Sequence, residues 1–233
     1  ILSINNIMPS SILDKIPSLF VTMRTSDTNN MKKNRNTKMI AIPEFKVKLS
    51  SDYIISEKID GSCRLLYQGN VWKRRDIKRN KKTGKFKTPP SSWVQFIKKP
   101  ASENHRIGFI PIDLNNKEDK WDKSAIDTSN IMIHSLTVEG FNSKFVNIDE
   151  LPDMTTMEFI GPKVQGNPYN LEHHGYYLHG SGVIDDLKIN IDNAEESLQH
   201  VKDYIIEKNK ERFFEGIVVS DNNNYYKFHH NYI

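Results

Sequence analysis

Apolar residues in this chain come in short runs and almost never in long stripes, and that pattern restricts the fold before any other property is weighed. Residues 18–23, 39–42, 45–49, 53–55, 65–67, 131–134, 145–148, 155–160, 213–219 and 225–229 are rich in β-branched or aromatic side chains. Gly, Asn, Asp and Pro punctuate them, so they read as strands joined by turns. Gln68-Gly69-Asn70 is a hairpin return into a further strand, 71–75. Only residues 192–212 have a long helical period, with Ala194, Leu198, Val201 and Ile205 on one stripe and Asp192 and Glu195 spaced as a capping box. Ile12, Leu13 and Ile16 suit one or two helical turns before Pro17, and the Asn-, Thr- and Lys-rich stretch 25–38 reads as loop. The expected class is α+β, antiparallel sheets with flanking helices.

The length of 233 residues, with 37% hydrophobic content, suits one domain over 1–233 with its own core, interrupted by an irregular insertion at about 76–127. That insertion is rich in Pro, Lys, Asn and Asp, with Trp93, Phe96, Phe109, Ile110 and Trp121 as isolated apolar anchors. No apolar run reaches the length of a membrane span, and the first fifteen residues lack the charged-then-apolar order of a signal peptide. Cys63 is the single cysteine, which excludes an internal disulfide and a multi-cysteine zinc site. A soluble, cytoplasmic protein of a reducing compartment is the expectation, with no membrane and no protein partner.

Charge is concentrated. Between Lys73 and Lys87 lie nine cations against one acid, Asp76, a net +8 in a chain that totals +4. Such a block is either a solvated, mobile loop or a surface that tracks phosphates, and the two are compatible.

Four positions carry candidate chemistry. In Lys58-Ile59-Asp60-Gly61, with β-prone residues on both sides, the pattern strand, tight turn, strand would fix an amine beside a carboxylate, with Arg64 placed to hold a ribose or phosphate oxygen. A lysine there is a nucleophile if its surroundings lower its pKa, and otherwise a surface residue before an ordinary turn. Glu158 stands inside an apolar strand and is either edge-facing or in need of a partner. Glu215-Gly216 opens the first strand of a terminal hairpin whose turn is Asp-Asn-rich, and Lys227 lies on the second. If Glu215 and Lys227 are to point the same way by simple alternation, Ile217 must sit opposite Lys227.

This ordered series resembles the covalent nucleotidyltransferase superfamily of polynucleotide ligases and mRNA capping enzymes. Within it the chain is most similar to the ATP-dependent 5′-to-3′ RNA ligase family that includes the vertebrate RNA ligase. The similar segments are Lys15-Ile16-Pro17-Ser18-Leu19-Phe20-Val21-Thr22, Glu57-Lys58-Ile59-Asp60-Gly61, Trp72-Lys73-Arg74-Arg75-Asp76, Glu158-Phe159-Ile160-Gly161, Gly166-Asn167-Pro168-Tyr169, His179-Gly180, Glu215-Gly216-Ile217-Val218 and Lys227-Phe228-His229. The resemblance implies a nucleotidyltransferase domain of ligase or capping-enzyme type, with no OB-fold in these residues. It implies that Lys58 attacks ATP to form lysyl-AMP, that AMP passes to an RNA 5′-phosphate, and that a 3′-hydroxyl then displaces it.

Lys58, Glu215 and Lys227 would be catalytic, with Lys227 on the α-phosphate. Glu57, Asp60, Gly61, Arg64, Arg74, Glu158, His179 and His229 would complete the ATP site. Glu158 would take the ribose hydroxyls, and Arg64 and Arg74 ribose or phosphate. Asp60 and Glu215 would hold Mg²⁺ or Mn²⁺ through water. His179 either stacks near the adenine or is a packed strand histidine. His229 occupies the place of a second lysine common in the family, which leaves its phosphate contact open. Lys73, Arg75, Lys78, Arg79, Lys81 and Lys82 would meet RNA carrying 5′-phosphate and 3′-hydroxyl ends. A GTP-dependent guanylyltransferase and a non-catalytic RNA-binding module of the same fold are the alternatives.

The histidine pairs 173–174 and 229–230 do not add up to a zinc site, because adjacent strand residues face opposite ways and no cysteines join them. Residues 161–169 lack P-loop spacing and read as a rigid turn.

Overall fold

A computed structural model describes residues 15–25, 38–96, 104–137, 140–221 and 224–233. The expected N-terminal helical turns at Ile12 and Leu13, the interior of the expected loop 25–38 and the turn residues 222–223 lie outside these; the loop's end residues Thr25 and Lys38 are paired strand residues. In chain order the strands are β1 (Phe20–Thr25), β2 (Lys38–Phe45), β3 (Ile54–Lys58), β4 (Ser62–Tyr67), β5 (Asn70–Arg74), β6 (Ile77–Lys78), β7 (His105–Arg106) and β8 (Phe109–Pro111). The short helix α1 (Lys120–Lys123) follows, then β9 (Ile126–Asp127), β10 (Asn130–Thr137), β11 (Gly140–Asn147), β12 (Thr156–Ile160) and β13 (Gly175–Leu178). The helix α2 (Ala194–Glu211) precedes the terminal pair β14 (Gly216–Asp221) and β15 (Asn224–His229). The α+β class follows from this content. No helix among the described residues is long and apolar enough to cross a membrane.

The chain forms two compact units, one built mainly from Asp60–Ser181 and the other from Ile16–Ile59 with Gly182–Ile233. In the first, an eight-stranded sheet runs β11-β10-β13-β12-β4-β5-β8, with β9 paired to β10. It is not wholly antiparallel as expected, because β10 and β13 pair parallel (Ile133 opposite Tyr176). The chain returns to β10 from β11 by way of β12, so β13 reaches it along a connection too long for a hairpin. Met157 and Phe159 of β12 join Leu66, Val71, Ile131, Ile133 and Tyr176 in the core of this unit. Within the stretch 76–127, β8 pairs with β5 and extends the main sheet, while Phe109, Leu65 and Ile107 form a smaller core against Phe96.

In the second unit a three-stranded antiparallel sheet, β15-β14-β3, shares one core with α2. Ile55, Ile217, Val219 and Phe228 supply the sheet side, and Leu198, Val201 and Ile205 supply the expected helix stripe. The helix starts one residue later than the capping box predicts. Asn193 is the N-cap, and its side chain accepts from the Glu196 N–H.

The sequence around Lys58 does not make the expected hairpin. β3 pairs with β14, whereas β4 pairs with β12 and β5, so the two β-prone runs flanking the Asp-Gly turn belong to different sheets. β3 finds its partner β14 far along the chain, while β4 pairs both with the adjacent β5 and with the distant β12.

Candidate active site

Strand register decides which side chains of β3, β14 and β15 share a face. Lys58, Gly216 and His229 form one row across the three strands, and Ser56, Val218 and Lys227 form the next. Directly opposed residues, and residues two apart on a strand, point the same way. Lys58, Lys227 and His229 therefore occupy one face, opposite the core-facing row of Glu57, Ile217 and Phe228. The Lys227 backbone is held by residues 17–19: its N–H donates to the Pro17 carbonyl, and its carbonyl accepts from the Leu19 N–H.

The observed register puts Val218 opposite Lys227, one residue from the pairing that simple alternation requires. Glu215 nonetheless reaches the lysine face. Its Oε1 lies 2.5 Å from Lys58 Nζ and 2.8 Å from His229 Nε2. Gly216 makes this possible with φ at +154°, a backbone conformation that L side chains rarely adopt, and a Cβ there would run into the Phe228 carbonyl. The Asn231 N–H donates to His229 Nδ1, which fixes the ring hydrogen on Nε2, where it is given to Glu215. Burial alone would raise the Glu215 carboxyl, but the His229 hydrogen bond and the Lys58 charge more than offset it and hold it below the usual value. Its second oxygen, Oε2, is buried and has no hydrogen-bond partner among the described residues.

Glu57 faces away from Lys58, into the core. Both of its oxygens accept from Arg212, each at 2.6 Å, and its side chain is 2% exposed. Burial raises its carboxyl and the guanidinium pulls it only part of the way back. Arg212 ends α2 three residues before Glu215, and no sequence motif marked it.

In the other unit, the Asp60 N–H donates to the Tyr169 hydroxyl at 2.6 Å. Gly61 lies so close to β12 that a Cβ would come within 2.7 Å of the Phe159 carbonyl oxygen. Glu158 faces away from the core formed by Met157 and Phe159, and it has a partner: His179 Nε2 donates to its Oε1 at 3.1 Å. His179 Nδ1 then accepts from the Thr156 hydroxyl at 2.9 Å. His179 thus holds the glutamate in place. The guanidinium of Arg64 is committed internally, with Nε and Nη2 donating to Asp122 and Nη1 to Ser62 and Cys63. Arg74 donates to Asp76 through Nε and Nη2. Asp119 and Asp122, on the turn around α1, gave no sequence signal because they lie in a region read as irregular. Burial, reinforced by Glu158, pushes the Cys63 thiol up to about 12, which removes it as a nucleophile.

The basic stretch is not uniform. Lys73 pairs with the buried Asp119. Arg75 is exposed and its carbonyl accepts from Trp93 Nε1. Lys78, Arg79, Lys81 and Lys82 are exposed. Among the described residues no group of three or more His, Cys, Asp or Glu is arranged to hold a metal directly.

Comparison with known proteins supplies an independent line. Residues 86–233 match the family model described as RNA ligase 1, a range that begins after Lys58. The chain is 26% identical to the RNA ligase 1 of Rattus norvegicus over 212 residues, covering 72% of this chain and 65% of that protein. It is 26% identical to the one from Pongo abelii over 211 residues and 25% identical to the one from Danio rerio over 211, with the same coverage. The match thus spans just under two thirds of these relatives' length.

Proposed function

The chain belongs to the RNA ligase 1 family, and on that premise we propose that it is an ATP-dependent RNA ligase acting through a covalent lysyl-AMP on Lys58, within a nucleotidyltransferase-type fold. The observation that carries this reading is the placement of Lys58 Nζ. It lies on the face of its sheet away from the core, 2.5 Å from a carboxylate that has a second, unpartnered oxygen. A nucleophilic amine needs a fixed position and a nearby acceptor for its proton.

In the first step the Lys58 amine attacks the α-phosphorus of ATP. A P–N bond forms, the bond to pyrophosphate breaks, and the amine gives up its protons, with Glu215 as the adjacent acceptor. The nucleotidyl group then passes from Lys58 to an RNA 5′-phosphate, which regenerates the amine. Finally a 3′-hydroxyl attacks the activated phosphate, so that a phosphodiester forms and AMP leaves. Each step crowds negative charge, and catalysis rests on positioning and neutralisation. Lys227, on the Lys58 face, supplies a cation for the α-phosphate.

Glu158, oriented by His179, would accept from the ribose hydroxyls. Arg64, whose nitrogens are all engaged, acts in this reading by bracing β4. Arg74 would reach the nucleotide beyond its contact with Asp76. Glu57 contributes by anchoring β3, and His229 by orienting Glu215.

Magnesium fits the residues present. The orphaned Glu215 Oε2 would accept from a metal-bound water, and an ion that keeps most of its hydration shell needs only one or two carboxylates; Asp60 is the second that the family resemblance implies. When bound, Mg²⁺ or Mn²⁺ would neutralise charge on the phosphates.

The test is intact-protein mass after incubation with ATP or GTP and Mg²⁺, beside Lys58→Ala. An AMP-sized gain seen with ATP and lost in the variant supports the reading, and sealing of 5′-phosphorylated RNA completes it. A GMP-sized gain would redirect it to guanylyl transfer. No gain with either, from protein shown to carry no AMP at the outset, would leave an RNA-binding module.

A further inference from the structure

The segment from Ile77 to Lys87 carries six cations (Lys78, Arg79, Lys81, Lys82, Lys85, Lys87) and no acid. It is an ordered ribbon. β6 pairs with β7, Arg79 bridges to Phe86, the Lys87 N–H donates to the Lys78 carbonyl and the Asn80 N–H to that of Lys85. Asn80 Oδ1 also accepts from the Lys82 N–H, which fixes the turn that presents Lys81 and Lys82.

Phe86 braces the structure from inside. The Arg79 guanidinium lies 4.9 Å from its ring centroid and that of Arg106, on β7, 4.2 Å. Both are within the range in which a cation is attracted to an aromatic face. Among the described residues no ion pair involves any of these seven cations, whereas their neighbours Lys73 and Arg74 are neutralised by Asp119 and Asp76. The ribbon is therefore a set of unneutralised charges held at fixed spacing. Its one aromatic ring is engaged by arginines and is not presented to a base.

We propose that this ribbon, Lys78–Lys87 with Arg106, is a preformed arm that grips the phosphate backbone of RNA without reading its sequence. The proposal deepens the ligase reading, on which its choice of polyanion rests. The RNA-facing surface thereby shifts away from Lys73 and extends to Lys85, Lys87 and Arg106. Fixed cations without a free aromatic face select phosphates and not bases, so affinity should be steeply salt-dependent and indifferent to sequence. The ribbon also exposes no large apolar side chain to insert into a bilayer, which favours nucleic acid over an anionic membrane.

The experiment is equilibrium binding of two unrelated 5′-phosphorylated RNAs over a salt series. It compares the wild-type protein, a Lys81→Gln/Lys82→Gln/Lys85→Gln variant, and the same three positions changed to Arg. These side chains are exposed, and thermal unfolding confirms that each variant is folded. The Gln variant should lower the slope of log affinity against log salt by about 2 to 3, at about 0.7–0.9 for each phosphate no longer neutralised. Its affinity loss should be equal for both RNAs, and the Arg variant should bind like wild type. An unchanged slope, a loss confined to one sequence, or a loss shared by the Arg variant would overturn the proposal. So would binding to phosphatidylserine vesicles but not to RNA. Adenylylation of the wild-type protein, read separately by mass, tests the ligase reading. Its absence beside the expected salt slopes would remove that reading and leave the arm standing.

Discussion

Neighbouring residues Glu57 and Lys58 are sent by β3 to opposite faces, one into an ion pair with Arg212 and the other onto the face it shares with Lys227 and His229. Glu57 should therefore behave as an anchor. Removing its partner with Arg212→Met leaves a carboxylate buried without compensation, which should cost about 3–5 kcal/mol in urea unfolding. Replacing both, Glu57→Leu with Arg212→Met, should restore most of that, since an apolar pair of similar size carries no desolvation penalty. A single variant within about 1 kcal/mol of wild type would show that the pair anchors nothing. Glu215 has the opposite sign. Its folded-state carboxyl titrates below its ordinary value, near 4.5, because His229 and Lys58 outweigh burial. Its stabilising contribution is full above the unfolded value and drains away as pH falls through the lower, folded one. Unfolding curves from pH 7 down to pH 3 should show Glu215→Gln flattening this acid limb. Lys227→Ala should slow formation of lysyl-AMP about 10²-fold or more while the protein stays folded, as loss of one preorganised charge does elsewhere.

Among the secondary-structure elements, Gly216 is where the terminal hairpin and the proposed active site are reconciled. The register of β14 and β15 would place Glu215 on the wrong face, and the positive φ of Gly216 turns it back. Gly216→Ala combines strained backbone with a Cβ against the Phe228 carbonyl, so a loss of about 2–3 kcal/mol is expected together with loss of adenylylation. Gly69→Ala, also at positive φ but with open space around it, should cost about 1 kcal/mol and leave the mass gain intact. Equal effects of the two would mean that the close approach at Gly216 does not matter.

Alternation and turn signals made the hairpin of β4 with β5 legible, as well as the terminal hairpin and the stripe of α2, because each depends on residues close together in sequence. The pairing of β3 with β14 was not legible. It joins segments more than 150 residues apart, and nothing local distinguishes it from a hairpin across Asp60-Gly61. The same limit explains Arg212, Asp119, Asp122 and Tyr169. Each matters through a partner far along the chain, and each is unremarkable among its own neighbours. Glu158 stands out in the sequence because a carboxylate in an apolar strand already demands an explanation.

For the molecule as a whole, the proposed cycle makes the protein itself a carrier of AMP, and that has a consequence separable from any single side chain. The phosphoramidate on Lys58 must sit on a reversible path, because the groups that assemble it also lower the barrier to its breakdown. Adenylylated protein given pyrophosphate and Mg²⁺ should lose its added mass and release ATP. Given 5′-phosphorylated RNA and no pyrophosphate, it should lose the same mass to the RNA as a 5′-adenylyl group. Both discharges should stop in EDTA and return with Mg²⁺ or Mn²⁺, if the proposed cycle uses the ion to neutralise the phosphates. The two acceptors would also differ in salt response. Discharge to RNA uses the basic ribbon and should weaken steeply as salt rises, whereas discharge to pyrophosphate, which need not touch the ribbon, should weaken far less. Parallel salt curves for the two acceptors would place the decisive cations at Lys58 and Lys227. Divergent curves would show that the concentrated charge serves the polymer and not the nucleotide.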